Sequence, residues 1–172
     1  MAMEDGEIGW FSPDPRGVIP LEGFHLPHGL KRLLRRHPFE IRINTAFAHV
    51  LEGCASREET WIDPTIHRSY TRLHELGFAH SVEAWREGNL VGGLYGVSLG
   101  GAFFGESMFH RESGASKVAL HALVERLRAR HFTLLDIQWT TPHLLGFGAR
   151  EIPRSDYLHQ LAEAIRLDRS FV

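Results

Sequence analysis

One cysteine, Cys54, stands among 172 residues, so no disulfide can close within the chain, which fits a reducing compartment. Cys54 lies in the apolar stretch Ala46–Ala55, where a small buried thiol is the expected reading and a catalytic thiol the lesser one. No run of ~18 apolar residues occurs, so no membrane-spanning helix is expected. Met1–Gly9 is short and acidic, without the basic start and apolar middle of a signal peptide. These absences predict a soluble cytoplasmic protein with no membrane partner. A surplus of positive charge is missing as well. Nineteen Lys and Arg face 21 Asp and Glu, for a formal net charge of −2. Proteins that grip long nucleic-acid duplexes are usually basic. The balance therefore argues against DNA as a partner and leaves room for a local patch that recognises an RNA end.

Metal-ligand spacing is also lacking. The twelve histidines are scattered, and His74-Glu75 with His80 misses the His-Glu-x-x-His spacing by two residues. There is no Gly-x-Ser-x-Gly elbow and no Walker loop. Neither a metal nor a cofactor is expected. What is present is ordinary globular material. Hydrophobic residues are 43% and charged residues 23%, enough for one well-cored domain.

Residues 10–29 are rich in Pro and Gly and read as extended chain and turns. Gly29–His37 sets Leu30, Leu33 and Leu34 on one helical face and Lys31, Arg32, Arg35 and Arg36 on another. Phe39–Ile43 alternates as a strand, and Thr45–Ala55 has helical spacing. Asp63, Pro64 and Gly77 supply the N-cap, first turn and stop of a helix over Asp63–Gly77. Ser81–Arg86 and Leu90–Ser98 form a hairpin at Glu87-Gly88-Asn89, and Ala102–Phe109 is a third strand. A helix over Ser116–His131, a strand over Thr133–Trp139 and a helix over Arg154–Leu167 follow. A meander followed by a helical crossover predicts an α+β or α/β sheet with helices packed on it.

Two strands carry candidate chemistry. In Thr133–Trp139, Asp136 and Gln138 are two apart, so on a regular strand they share a face with Cα atoms ~6.5 Å apart. Leu135, Ile137 and Trp139 take the other face. Coming after a crossover, this strand should be central and covered, and its two polar groups must be a hydrogen-bonded pair or a functional one. The other is Phe103–Phe109, where Glu106 lies in an otherwise apolar run. A buried carboxylate needs a partner or a proton, so Glu106 binds a cationic substrate group or a protein arginine. Arg111–Ser116, before a helix, approximates the Arg/Gln-x-x-Gly-x-Gly/Ala pyrophosphate loop of acyl-CoA N-acetyltransferases, but the pattern is short and a simple helix-entry turn explains it. The cations of Gly29–His37 are either a solvated face or a phosphate-contacting one. Trp10 and Phe11 either stack on a base or anchor the arm.

Several stretches together resemble the leucyl/phenylalanyl-tRNA–protein transferase family. They are Trp10-Phe11-Ser12-Pro13-Asp14-Pro15-Arg16, Glu52-Gly53-Cys54-Ala55, Thr60-Trp61-Ile62, Leu73-His74-Glu75-Leu76-Gly77 and Ala79-His80-Ser81-Val82-Glu83. Leu90–Gly96, Phe104–Phe109, Ala115-Ser116-Lys117, Leu135-Asp136 with Gln138, and Glu151-Ile152-Pro153-Arg154 complete them, in one register over nearly the whole chain. The resemblance implies a GNAT-like (N-acetyltransferase-like) core. It implies transfer of Leu or Phe, and Met less well, from aminoacyl-tRNA to proteins beginning with Arg or Lys, which tags them for N-degron proteolysis. The ester to tRNA is already activated, so no ATP or metal is implied.

The resemblance also assigns roles. Asp136 would hold and polarise Gln138, whose carbonyl accepts an N–H of the acceptor amine. Glu106 would position the basic acceptor or the aminoacyl end. Leu94, Met108, Leu123, Leu127 and Leu135 would form the leucyl or phenylalanyl pocket. Trp61 and Tyr70 would surround the terminal adenosine, and Lys31, Arg32, Arg35 and Arg36 would contact tRNA. The family's small N-terminal region with a Gly-aromatic-Phe-Pro motif has no counterpart here. Residues 1–14 are therefore expected to be the remnant of an N-terminal arm and 15–172 the catalytic domain. The alternatives are an acyl-CoA-dependent N-acetyltransferase and a truncated, non-catalytic binder of tRNA ends or N-degrons.

Overall fold

The computed structural model describes residues 8–56 and 60–172. Most of the acidic start Met1–Gly9 therefore lies outside the described residues. A two-residue turn at Glu87-Gly88, with φ of 50° and 77°, joins β3 (Ala79–Arg86) to β4 (Asn89–Leu99) as the sequence predicts. Strand β5 (Ala102–His110) extends this meander antiparallel to β4. Helix α4 (Ala115–Ala129) then crosses over and delivers β6 (Leu134–Gln138) parallel to β5. On the far side of β4, β2 (Glu40–Ile43) pairs with β3.

Two short strands were not legible. In the Pro- and Gly-rich segment, β1 (Arg16–Val18) pairs antiparallel with β6 and with β7 (Arg150–Ile152). The seven-stranded order is β2-β3-β4-β5-β6-β1-β7, and among the described strands only β5 and β6 pair in parallel. Strand β6 is therefore central, as expected, and the fold is the predicted α+β class with a mixed sheet flanked by helices.

Helix α4 covers one face, packing Leu120, Leu123, Val124 and Leu127 against Val82, Leu94, Phe103 and Leu135. The short helices α1 (His28–Leu34) and α5 (Pro142–Leu145) border that layer through Leu30 and Leu144. On the other face, α2 (Phe47–Ala55) and α3 (Pro64–Glu75) bury Val50, Leu51, Cys54 and Ile66 with Tyr95 and Phe109. Further along that face, α6 (Arg154–Ala164) packs Tyr157 and Ala164 near Val18, Ala102 and Leu134. Helix α3 starts as predicted, with Asp63 Oδ1 accepting from the Ile66 amide at 2.7 Å and Pro64 in the first turn.

Glu83, completely buried on β3, is a structural carboxylate. Burial pushes its pKa up, but bonds from Thr45, the Ala46 amide, Ser81 and Trp85 outweigh that and keep it ionised. These bonds tie the start of α2 to the sheet.

Candidate active site

Strands β5 and β6 run side by side only from Ala102–Phe104 against Leu134–Asp136, and their ladder ends there. At the same level β5 carries an extra residue. Tyr95 opposes Ser107 and Gly96 opposes Gly105, so Glu106 is left over in a β-bulge. The bulge reverses the alternation of side chains. Phe103 and Met108, five residues apart, both belong to the layer under α4, whereas Phe104 and Phe109 belong to the opposite face. A Cβ at Gly96 would run into the Phe104 carbonyl and the Phe103 ring, so this close approach requires glycine there.

On β6, in register with Phe104 two residues before Glu106, Asp136 is completely buried. Its Oδ1 accepts from Arg16 Nε and from the Gln138 main-chain N–H, both at 2.9 Å. Its Oδ2 accepts from Arg16 Nη2 at 2.6 Å and from the Tyr157 hydroxyl at 2.8 Å. The Arg16 guanidinium also lies over the Tyr157 ring, 4.8 Å from its centre. Burial first, then the Asp136 charge, raises the Tyr157 pKa, so that hydroxyl remains a donor.

The expected partnership of Asp136 and Gln138 is therefore made differently. The bond goes to the Gln138 main chain, and the Gln138 side-chain amide has no hydrogen-bond partner among the described residues. Gln138 sits at φ 59°, in the left-handed region, and the Trp139 amide turns back onto the Ile137 carbonyl at 2.7 Å. Regular alternation stops at Gln138, so Trp139 is not the third member of a buried face but is 46% exposed, edge-on to Phe11 at 6.3 Å.

Glu106 has no ion pair among the described residues. Burial pushes its pKa up to about 7. The Tyr70 hydrogen bond and the Arg16 charge pull it down, and the Asp136 charge raises it further. Tyr70, raised by burial and then by Glu106, stays protonated as a donor. Its ring meets Tyr95 at 5.1 Å and Trp61 at 6.3 Å, both edge-on. The fold thus gathers Trp61, Tyr70, Glu106 and Asp136 on one face, with Gln138 at the end of β6.

The five expected pocket residues lie on the other face. Leu94 and Met108 are register partners, and Leu94 and Leu135 of the sheet and Leu123 and Leu127 of α4 are nearly or fully buried between the two layers. Met108 is only partly buried against this layer, on the segment of β5 beyond its pairing with β6.

Lys31, Arg32, Arg35 and Arg36 are all exposed, and none pairs with a carboxylate among the described residues. A groove of about 520 Å³ separates α1 from the start of α4, lined by Arg32, Arg36, Ser113, Gly114, Lys117 and His143 together with apolar residues. None of its lining residues is acidic. Burial, then the charges of Lys117 and His110, lowers the His143 pKa, so the positive charge belongs to Arg32, Arg36 and Lys117. Arg111, in the loop that approximates a pyrophosphate motif, donates instead to the Leu90 carbonyl at 3.2 Å and lies over the Phe109 ring.

Arg16 and Tyr157 had no assigned role from the sequence. A buried aspartate calls for a cation, but 120 positions separate Arg16 from Asp136, and nothing local links them. His74 and His80 are taken up structurally: His74 stacks on Phe47 at 4.1 Å, and His80 bonds Asn44 and Ser98. Among the described residues no group of three His, Cys, Asp or Glu could hold a metal ion.

The family model for leucyl/phenylalanyl-tRNA protein transferase matches residues 18–162. A leucyl/phenylalanyl-tRNA–protein transferase of Akkermansia muciniphila is 58% identical over 166 residues, covering 94% of this chain and 86% of the relative. One from Salinibacter ruber is 56% identical over 162 residues, covering 94% and 72%. Among solved structures, a conserved protein of unknown function from Staphylococcus epidermidis aligns at 12% identity with a TM-score of 0.53, covering 81% of this chain and 57% of that one. An aminoglycoside acetyltransferase from an uncultured soil sample aligns at 17% identity and a TM-score of 0.49, covering 64% and 88%.

Proposed function

Because the chain belongs to the leucyl/phenylalanyl-tRNA–protein transferase family, and is thus an aminoacyltransferase acting between tRNA and protein, we propose that it moves Leu or Phe, and Met less well, onto proteins beginning with Arg or Lys. The product is a protein tagged for N-degron proteolysis, and the proposed setting is the cytoplasm. The substrate ester is already activated, so the task is alignment of an amine with a carbonyl. Alignment of this kind can supply roughly 7–11 kcal/mol.

The observation that carries this reading is the parting of β5 and β6, with Glu106 on one strand and Asp136 and Gln138 on the other. An extended aminoacyl ester would lie at this parting, with Trp61 and Tyr70 beside its terminal adenosine. The hydrophobic layer of Leu94, Leu123, Leu127 and Leu135 would receive the side chain, and Met108, flexible and polarizable at its edge, would adapt to Leu or Phe. The Gln138 side-chain amide, without a hydrogen-bond partner among the described residues, would meet the incoming amine, and the Glu106 carboxylate would attract a cationic acceptor. Lys31, Arg32, Arg35 and Arg36 would meet tRNA phosphates. The acetyl-CoA alternative draws little from the Arg111–Ser116 loop, because Arg111 is already engaged by Leu90 and Phe109.

The test is transfer from charged Leu-tRNA and Phe-tRNA to peptides starting with Arg, Lys or Ala, with acetyl-CoA as the competing donor. Aminoacylation restricted to Arg and Lys peptides supports the proposal. Acetylation alone, or transfer indifferent to the first residue, removes it.

A further inference from the structure

We propose that Glu106 is the group that takes the proton from the attacking α-amine, and that Asp136 serves instead as a positioning residue for the main chain of Gln138. This rests on the aminoacyl-transfer reading above and deepens it at the same site.

The first argument is the occupancy of Asp136. A carboxylate offers about four lone-pair sites. Arg16 fills two, Tyr157 a third and the Gln138 amide a fourth. The guanidinium is always charged, so protonating Asp136 would disrupt a bidentate ion pair at a fully buried carboxylate. No acceptor site remains for a substrate proton. The Gln138 side chain does not relay to Asp136 either, since the carboxylate bonds its main-chain N–H. An amide carbonyl can orient an amine by accepting a hydrogen bond, but it is too weak a base to carry the proton away.

The second argument is the placement of Glu106. The bulge sets this residue out of the β4–β5 register at the point where β5 and β6 part. Such re-aiming of a side chain is what bulges near active sites do. Tyr70 is its hydrogen-bonding neighbour, and no cation is bonded to it among the described residues. Among the described residues, the charged and titratable groups facing it are Tyr70 from α3, Asp136 from β6 and Arg16 from β1. Its burial makes the carboxylate a stronger base than a solvated one, with half-ionisation at about pH 7.

The step balances without a co-reactant. The neutral amine nitrogen attacks the ester carbonyl carbon, a C–N bond forms, and one N–H proton passes to a Glu106 oxygen. When the tetrahedral adduct collapses, the bond from carbon to the ribose oxygen breaks. Glu106 returns the same proton to that oxygen, leaving a ribose hydroxyl and an ionised Glu106.

The experiment measures single-turnover Leu transfer to an Arg-starting peptide, at saturating peptide and from acid to alkaline pH, for the parent, Glu106→Gln, Glu106→Asp and Asp136→Asn. Two peptides whose amines differ in basicity separate the amine's ionisation, which moves with the peptide, from an enzyme ionisation, which does not. Circular dichroism reports folding. The parent should show a peptide-independent rise through about pH 7. Glu106→Gln should lose that limb and roughly 100-fold or more in rate, with little change in KM, and Glu106→Asp should recover part of it. Asp136→Asn should be slower but keep the limb. Persistence of the limb in folded Glu106→Gln, or its loss in folded Asp136→Asn, overturns the assignment. Absence of any transfer by the parent overturns the transferase reading itself.

Discussion

The guanidinium of Arg16 grips the carboxylate of Asp136 through two hydrogen bonds, Nε to Oδ1 at 2.9 Å and Nη2 to Oδ2 at 2.6 Å, in a place where Asp136 has no exposed surface. The pair ties β1 to β6 and, through the Gln138 amide, fixes the left-handed end of β6. Removing one partner strands the other. Arg16→Met should cost about 3–5 kcal/mol in urea unfolding, and Arg16→Met combined with Asp136→Leu should recover much of that. A single variant within about 1 kcal/mol of the parent would show that the pair contributes little.

Glu106 makes stability fall as pH rises. Its folded pKa, about 7, lies above the unfolded carboxylate value. Its contribution is fully present below pH ~4.5 and is lost as pH climbs through 7, because ionisation inside the fold is resisted. The shift corresponds to something of the order of 3 kcal/mol. Glu106→Gln should therefore raise Tm at pH 8 and leave it nearly unchanged at pH 4.5. An equal effect at both pH values would remove this account.

His80 acts in the opposite sense. Asn44 holds its Oδ1 toward the Ser81 amide, so Asn44 Nδ2 donates to His80 Nδ1 at 3.0 Å, and His80 Nε2–H donates to Ser98. This neutral tautomer lies beneath Phe171, and burial, with charges on His74 and Arg126, lowers its pKa to about 4. Its contribution is present above pH ~6.5 and is lost as pH falls toward 4. His80→Gln should flatten the stability profile between those values. A profile as steep as that of the parent would point to other groups.

The α1–α4 groove predicts a salt signature. Alanine at Arg32, Arg36 and Lys117 should weaken tRNA binding and reduce the slope of log affinity against log salt by roughly 0.7–0.9 for each phosphate no longer neutralised. Substituting Arg72, on α3 and paired with Glu75, should leave that slope alone. Equal slopes for the parent and the triple variant would return the groove to plain solvated surface.

Met108 and Leu127 separate specificity from packing. Leu127 is fully buried, so Leu127→Ala should cost about 2–5 kcal/mol by cavity formation. Met108 is partly buried on the segment of β5 that has left β6. Met108→Ala should cost less stability but change the ratio of Phe to Leu transfer. Unaltered selectivity with a large stability loss would make Met108 another core residue.

Patterns that are local in the chain were legible. The alternation of β2 to β6, the Glu87-Gly88 turn, the Asp63-Pro64 helix start and the buried Cys54 follow from short-range sterics and periodicity. Strands β1 and β7 were not, because three residues carry no period and need neighbours to complete their hydrogen bonds. The strand reading of Trp139 failed for a related reason: the period-two rule assumes extended backbone, and Gln138 leaves it.

By itself the sequence determined the α+β class, the central place of β6, the family, and the residues worth watching at positions 106, 136 and 138. These follow from hydrophobic period, turn chemistry and motif identity, which are properties of neighbours in the chain. Tertiary structure alone decided that Arg16 saturates Asp136, that Asp136 bonds the main chain of Gln138 rather than its side chain, and that Glu106 stands in a bulge with no ion pair among the described residues. Those facts decide which carboxylate can take a proton. They depend on which distant groups share a low-dielectric space, and only the folded chain brings residues 16, 70, 106 and 136 together.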